Sequence, residues 1–217
     1  MALKLAVLIS GRGSNLAAIL SSIDRGHCAA RVALVLSDRP DAQGLQLAAE
    51  RGIPSAVVRI ADHPDRAAWD RALAERAAEV EPDLVVLAGF MRLLGPAFLA
   101  RFPQQVINVH PALLPLFPGK AGPADAIAAG MRVSGCSVHV VDGGVDTGPI
   151  IAQGVVPILL GDDAERLHAR IQRVEHVLLP RVINALARGE VTLSPVLRVN
   201  AQPNPDSTLY SLEEGTD

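Results

Sequence analysis

The chain has 217 residues, about half of them apolar, two cysteines and a formal net charge of −3. That is enough chain for an α/β domain with a full core, and too apolar for a disordered protein. Few aromatics and a slightly negative balance argue against a nucleic-acid-binding face, and the isolated Cys28 and Cys136 argue against a disulfide framework or a zinc cluster.

The opening "MALKLAVLIS" breaks at Gly11-Arg12 without a signal-peptide cleavage pattern, so it reads as a first strand. Apolar runs at 5–9, 32–36, 56–60, 84–90 and 106–109 are continuous rather than alternating, as strands buried on both faces should be. Between them, 16–24, 44–52 and 65–81 show helical spacing, with Gly26 and Gly52 placed as C-terminal caps and Pro82 closing the third helix. Strand and helix in alternation predict βαβ units and a mostly parallel, Rossmann-like sheet with helices on both faces. After residue 110 comes a proline- and glycine-rich loop, 111–123, and a short helical stretch, 124–130. Strands at 136–141 and 149–158 are joined too closely for a crossover helix, which predicts an antiparallel C-terminal part. A long helix over 162–190 follows, with Asp162 and Asp163 at its N-terminus. The expected organisation is one domain over 1–195, with halves 1–110 and 111–195, and a peripheral tail over 196–217. The longest apolar run, 84–91, is far short of a membrane span, and the expectation is a cytoplasmic protein.

"ISGRGSNL" (9–16) turns the first strand into the first helix. Glycines allow a tight turn, backbone N–H groups can approach an anion, and Ser14 or Asn15 is positioned to cap the helix. The plainer alternative is a glycine turn with no ligand. A dinucleotide site would want a third glycine where Leu16 stands, together with an acid such as Asp38. A monophosphate fits the turn better.

"INVHPALLP" (107–115) places Asn108 and His110 two apart at the C-terminal end of a buried strand, where ligand crevices of such sheets lie. One buried polar residue would be ordinary packing; the pair, followed by a rigid proline loop, points to chemistry at a carbonyl. An acid comes from "DGGVDTGP" (142–149): Asp142 beside two glycines is the better Asx-turn residue, and Asp146 the better carboxylate. There is no G-x-S-x-G elbow, no H-E-x-x-H and no paired cysteines. Asparagine, histidine and aspartate without a nucleophile imply that the substrate brings its own, such as an amine, while the protein stabilises an oxyanion and moves protons.

These stretches, with "VVLAGFMRLL", "SVHVVDGGVDTGPIIAQ" and "QRVEHVLLP" in order from about residue 4 to 190, resemble the phosphoribosylglycinamide formyltransferase family, the folate-dependent formyl-transfer enzymes of purine biosynthesis. The resemblance implies that Asn108, His110 and Asp146 are catalytic. It implies that Gly13, Ser14 and Asn15 bind the substrate phosphate and Glu175 the glycinamide amine, although a glutamate on a long helix is by itself ordinarily a solvated residue. It implies that Met91, Arg92, Leu93, Leu94, Asn108 and Val141 contribute to the folate pocket, with Arg66 near the donor's outer portion. The co-substrate would be 10-formyltetrahydrofolate, with no metal, and the partners small molecules, glycinamide ribonucleotide and the formyl folate, with the protein a monomer or homodimer. The chain departs from the family at 120–123, where a histidine is common and Lys120-Ala121-Gly122-Pro123 stands instead. The expectation there is a loop over 117–123 that stays mobile until substrates bind. His139 reads as structural, pointing into or across the sheet. The rivals are hydrolysis of the same donor, a methionyl-tRNA formyltransferase, which would need a further tRNA-binding domain, and a non-catalytic nucleotide-binding protein.

Overall fold

A computed structural model of the chain describes residues 2–193, together with the backbone of 198–199 and 209–210. The chain divides into two compact units, 1–108 and 109–217.

The first unit runs β1 (Leu3–Ile9), α1 (Ser14–Asp24), β2 (Ala30–Ser37), α2 (Gly44–Glu50), β3 (Ser55–Val57), a 3-10 turn (Ile60–Asp62), α3 (Arg66–Ala78), β4 (Leu84–Leu87), α4 (Pro96–Arg101) and into β5 (Val106–His110). Its strands lie in the order β3-β2-β1-β4-β5, all parallel. The continuous apolar runs explain this. Leu5, Ala6, Val7, Leu8 and Ile9 are completely buried, so β1 has no face to give to water and sits inside the sheet. Each such large aliphatic side chain contributes about 1.5–3 kcal/mol on burial. Gly26 and Gly52 take positive φ one residue past the C-caps of α1 and α2, as expected.

Two local expectations are corrected. The run 56–60 is a strand only over Ser55–Val57; Arg59 then pairs with Asp62 and the chain turns through the 3-10 segment. Helix α4 was not expected. It is six residues long, and its first turn is capped from a distance: Asp70 on α3 accepts from Gly95 N–H (2.5 Å) and Phe98 N–H (2.9 Å).

The second unit contains α5 (Gly122–Ala128), β6 (Val133–Val140), β7 (Ile150–Pro157), α6 (Ala164–Ala187) and β8 (Val191–Thr192). β6 and β7 are antiparallel, from Val133↔Pro157 to His139↔Ile150, with a register shift between Val138 and His139. Asp163 caps α6 by accepting from Arg166 N–H (2.8 Å), while Asp162 is held by Arg170 (2.6 Å). α6 packs on both strands through a stripe of Leu167, Ile171, Leu178 and Val182, and it runs on through Pro180. The expected polar tail over 196–217 falls almost entirely outside the described residues. The exceptions are two-residue backbone ladders, 198–199 with β8 and 209–210 with β7.

Candidate functional site

In the first unit the turn after β1 is built by shape. Gly13 has φ +74° and is the N-cap of α1; a Cβ there would lie 2.7 Å from the Cα of Gly44. Gly44 in turn has room for no Cβ, because one would meet Ile9 Cδ1 at 2.5 Å. The two glycines therefore let the 11–15 turn and the start of α2 touch backbone to backbone. Ser14 and Asn15 are the first residues of α1 rather than its caps; the N-cap is Gly13, which has no side chain. The first-turn N–H groups have no intrahelical acceptors, which is the geometry an anion uses.

The segment 91–94 follows β4 on the same strand edge. Met91 and Leu93 are exposed at 59% and 60%, unusual for large apolar side chains. Arg66, the first residue of α3, lies over Trp69 (4.4 Å to the ring centroid) and donates to the Leu93 carbonyl. The structure thus brings Arg66 and the 91–94 segment together. Arg92 does not reach outward alone: its Nε donates to Asp38 Oδ2 at 2.7 Å. Asp38 Oδ1 accepts from Ser10 Oγ at 2.6 Å. Both oxygens of the acid weighed for a dinucleotide ribose are therefore occupied within the protein.

In the second unit Asp146 stands between two imidazoles. Its Oδ2 lies 3.4 Å from His110 Nδ1 and accepts from Gly119 N–H at 2.8 Å, and its Oδ1 lies 3.5 Å from His139 Nε2. Asp146 itself adopts φ +54°, a conformation that a non-glycine residue holds only when its surroundings enforce it. Burial pushes its carboxyl upward. The hydrogen bond from His139, the Gly119 N–H and the charges of His110 and His139 outweigh that and hold it below the ordinary carboxylate value. His110 Nε2 lies 2.9 Å from the Phe117 carbonyl. Both of its nitrogens thus face acceptor oxygens. Asn108 precedes it by two on β5, half-buried and on the same side of the strand.

Asp142 is the turn residue expected: its Oδ1 accepts from Gly144 N–H (3.0 Å) and Thr147 Oγ1 (2.6 Å). Val141, half-buried, follows β6 directly. At the start of the 117–123 loop two backbone groups meet the candidate residues: the Phe117 carbonyl lies 2.9 Å from His110 Nε2, and the Gly119 N–H donates to Asp146. Glu175 also differs from the ordinary case. It lies in the buried stripe of α6, four residues after Ile171 and three before Leu178, and is 3% exposed. That spacing is the signal that the sequence carried.

His139, read as structural, lies beside Asp146. It is 2% exposed and stands on β6 just past the register shift between Val138 and His139. Ser10 and Asp70, which hold 91–95, carried no signal that a sequence reading picks out. No group of metal-ligating residues occurs among the described residues. Nor is any helix among them long and apolar enough to cross a membrane.

Comparison with known proteins agrees with this geometry. The family model described as formyl transferase matches residues 3–183. A phosphoribosylglycinamide formyltransferase of Mycobacterium tuberculosis (strain ATCC 25618 / H37Rv) is 52% identical over 190 residues, covering 88% of this chain and 87% of that one. The Escherichia coli (strain K12) protein of the same name is 39% identical over 191 residues, covering 88% and 90%. Among solved structures, glycinamide ribonucleotide transformylase 1 from Symbiobacterium toebii superposes with a TM-score of 0.88 at 44% identity, over 91% of this chain and 94% of that one. The chain belongs to the formyl transferase family.

Proposed function

We propose that the protein transfers the formyl group of 10-formyltetrahydrofolate to the amine of glycinamide ribonucleotide, giving the N-formyl product and tetrahydrofolate in purine synthesis. The observation that carries this reading is the ionised Asp146 held against His110, two residues after Asn108, with no nucleophilic side chain among them. Such a set stabilises charge and moves protons but cannot form an acyl-enzyme, so the attacking atom comes from the substrate.

The chemistry follows from the residues. As the acceptor amine attacks, a C–N bond forms and the formyl oxygen gains negative charge. The Asn108 amide donates a hydrogen bond to that oxygen, and His110, when protonated, adds a positive charge beside it. Asp146 holds the His110 ring in place and orders a water that carries the amine's proton away. Collapse breaks the bond from the formyl carbon to the folate nitrogen, which takes up a proton as it leaves. Gly13, Ser14 and Asn15 offer the acceptor's phosphate the N-terminus of α1, and the buried Glu175 takes its ammonium or amine. Met91, Arg92, Leu93, Leu94, Asn108 and Val141, with Arg66 at the outer end, receive the folate; the exposed Met91 and Leu93 supply the apolar surface that a flat pterin needs. The same reading makes the protein a cytoplasmic monomer or homodimer.

The test follows tetrahydrofolate release by purified protein given the formyl donor, with and without glycinamide ribonucleotide. Release that requires the acceptor is the expected result. Equal release without it would make the protein a hydrolase of the donor.

A further inference from the structure

Residues 91–95 have little apolar anchoring, yet their backbone is tied down at several points. Met91 N–H donates to Ser10 Oγ (2.8 Å), the Leu93 carbonyl accepts from Arg66, and Gly95 N–H donates to Asp70 (2.5 Å). Arg92 is tied by its side chain to Asp38 (2.7 Å). Two of these four ties run through one carboxylate. Ser10 has a single hydroxyl proton, and Asp38 Oδ1 takes it at 2.6 Å, which leaves the Ser10 lone pairs to face Met91 N–H. Asp38 thereby sets the direction of the Ser10 bond and, with its other oxygen, the course of the Arg92 side chain.

The strand order explains how one acid reaches both. Ser10 follows β1 and Asp38 follows β2; the two strands are paired up to Ile9↔Ser37, and β4, which leads to Met91, pairs with the other side of β1. The side chain of Asp38 is 1% exposed, against 43% for Arg92. A carboxylate buried that deeply is costly unless fully partnered. Ordinary packing would place an apolar residue here.

We propose that Asp38 is a positioning residue for the formyl donor: through Ser10 and Arg92 it holds Met91 and Arg92 in the donor-binding shape before the donor arrives. This rests on the reading of 91–94 as the donor segment. A segment ordered in advance spends less of its binding energy on ordering, so the effect falls on affinity rather than on the chemical step.

The test uses the full chain with Asp38→Ala, Asp38→Asn and Ser10→Ala, a non-reactive folate analogue as probe, and hydrogen exchange together with steady-state kinetics. Asp38→Ala should raise the analogue Kd and the donor KM about tenfold, with acceptor KM and kcat at saturating donor within about twofold. Asp38→Asn retains one acceptor oxygen and should fall between. Ser10→Ala should speed exchange at Met91 N–H and raise the donor KM by a smaller factor, and it decides the question if Asp38→Ala does not fold. Faster exchange at Met91 with an unchanged analogue Kd in Asp38→Asn and Ser10→Ala would overturn the proposal and leave the donor segment standing. An analogue that protects none of 91–94 in the unaltered protein would remove the donor reading, and the proposal with it.

Discussion

Two carboxylates, the buried Asp38 in the first unit and the half-buried Asp146 in the second, are held in different ways. Asp38 is partnered by a serine hydroxyl and an arginine, neither of which changes charge at any pH where the protein is folded. Asp146 is partnered by one backbone N–H and two histidines, the side chains that gain and lose protons near neutrality. The first arrangement is a fastener and the second can take part in proton movement. The glycine turn at 11–15 belongs with the first kind: it is set by backbone contact between Gly13 and Gly44 and by no charge. In the first unit, then, shape should matter more than charge, and around Asp146 charge should matter more than shape.

Asp146→Asn is the strongest way to break that comparison. Oδ2 accepts from Gly119 N–H and Oδ1 faces His139, so an amide can keep one of these contacts, and the side-chain volume is unchanged. Removing the charge should lower kcat about 100-fold or more, with both substrate KM values changed far less. Near-normal turnover would remove the Asp146 charge from the mechanism.

Gly13→Val probes the opposite side. Its Cβ would meet Gly44 Cα at 2.7 Å, and φ is +74°. The added strain and overpacking should cost about 2 kcal/mol of stability in urea unfolding. Any loss of acceptor affinity in this variant is therefore mixed with loss of fold. Ser14→Ala, at a position already helical, separates the two: it should raise acceptor KM several-fold with the donor KM and the unfolding midpoint unchanged.

Acid unfolding sharpens the comparison at smaller amplitude. The Asp146 carboxyl lies below its ordinary value in the folded protein, so the unfolded chain binds that proton more tightly. Its contribution is present in full above the unfolded value, about 3.9, and is lost as pH falls through the lower folded value. The stability gap between the unaltered protein and Asp146→Asn should therefore narrow as pH drops below about 4 in urea titrations. A constant gap would mean that the variant differs for reasons other than this ionisation.

What the sequence made legible follows the same division. The parallel strands were readable because burial on both faces leaves a continuous apolar run, as in Leu5–Ile9, and the C-terminal hairpin because 142–148 is too short for a crossover. Asn108 and His110 stood out as polar residues at the end of a buried strand, and Asp146 as the acid where the 142–149 loop re-enters a strand. Helix α4 did not, because its cap is Asp70, 25 residues earlier in the chain, and a local pattern has no access to that partner. The approach of His139 to Asp146 was not legible, because it depends on the pairing of β6 with β7 and the register shift there. The contacts of Phe117 and Gly119 with His110 and Asp146 left no mark in the sequence, because they are made by backbone groups, which every residue possesses.

The smallest effect is expected at Asp142, an acid four residues from Asp146 that is built as a fastener. One oxygen, Oδ1, accepts both the Gly144 N–H (3.0 Å) and the Thr147 hydroxyl (2.6 Å). An asparagine presents the same carbonyl oxygen at the same place, so Asp142→Asn keeps both bonds and loses only a charge at an exposed position. Its kcat should stay within about threefold of the unaltered protein, since exposed charges couple weakly to their surroundings. Asp142→Ala loses both bonds. The 142–148 loop then has less to hold Asp146 at its positive φ, and kcat should fall further than in Asp142→Asn, although the two variants remove the same charge. Comparing them isolates shape from charge inside the second unit itself. A large fall already in Asp142→Asn would mean that the charge there acts on the reaction, and that two acids rather than one hold His110 in its working state.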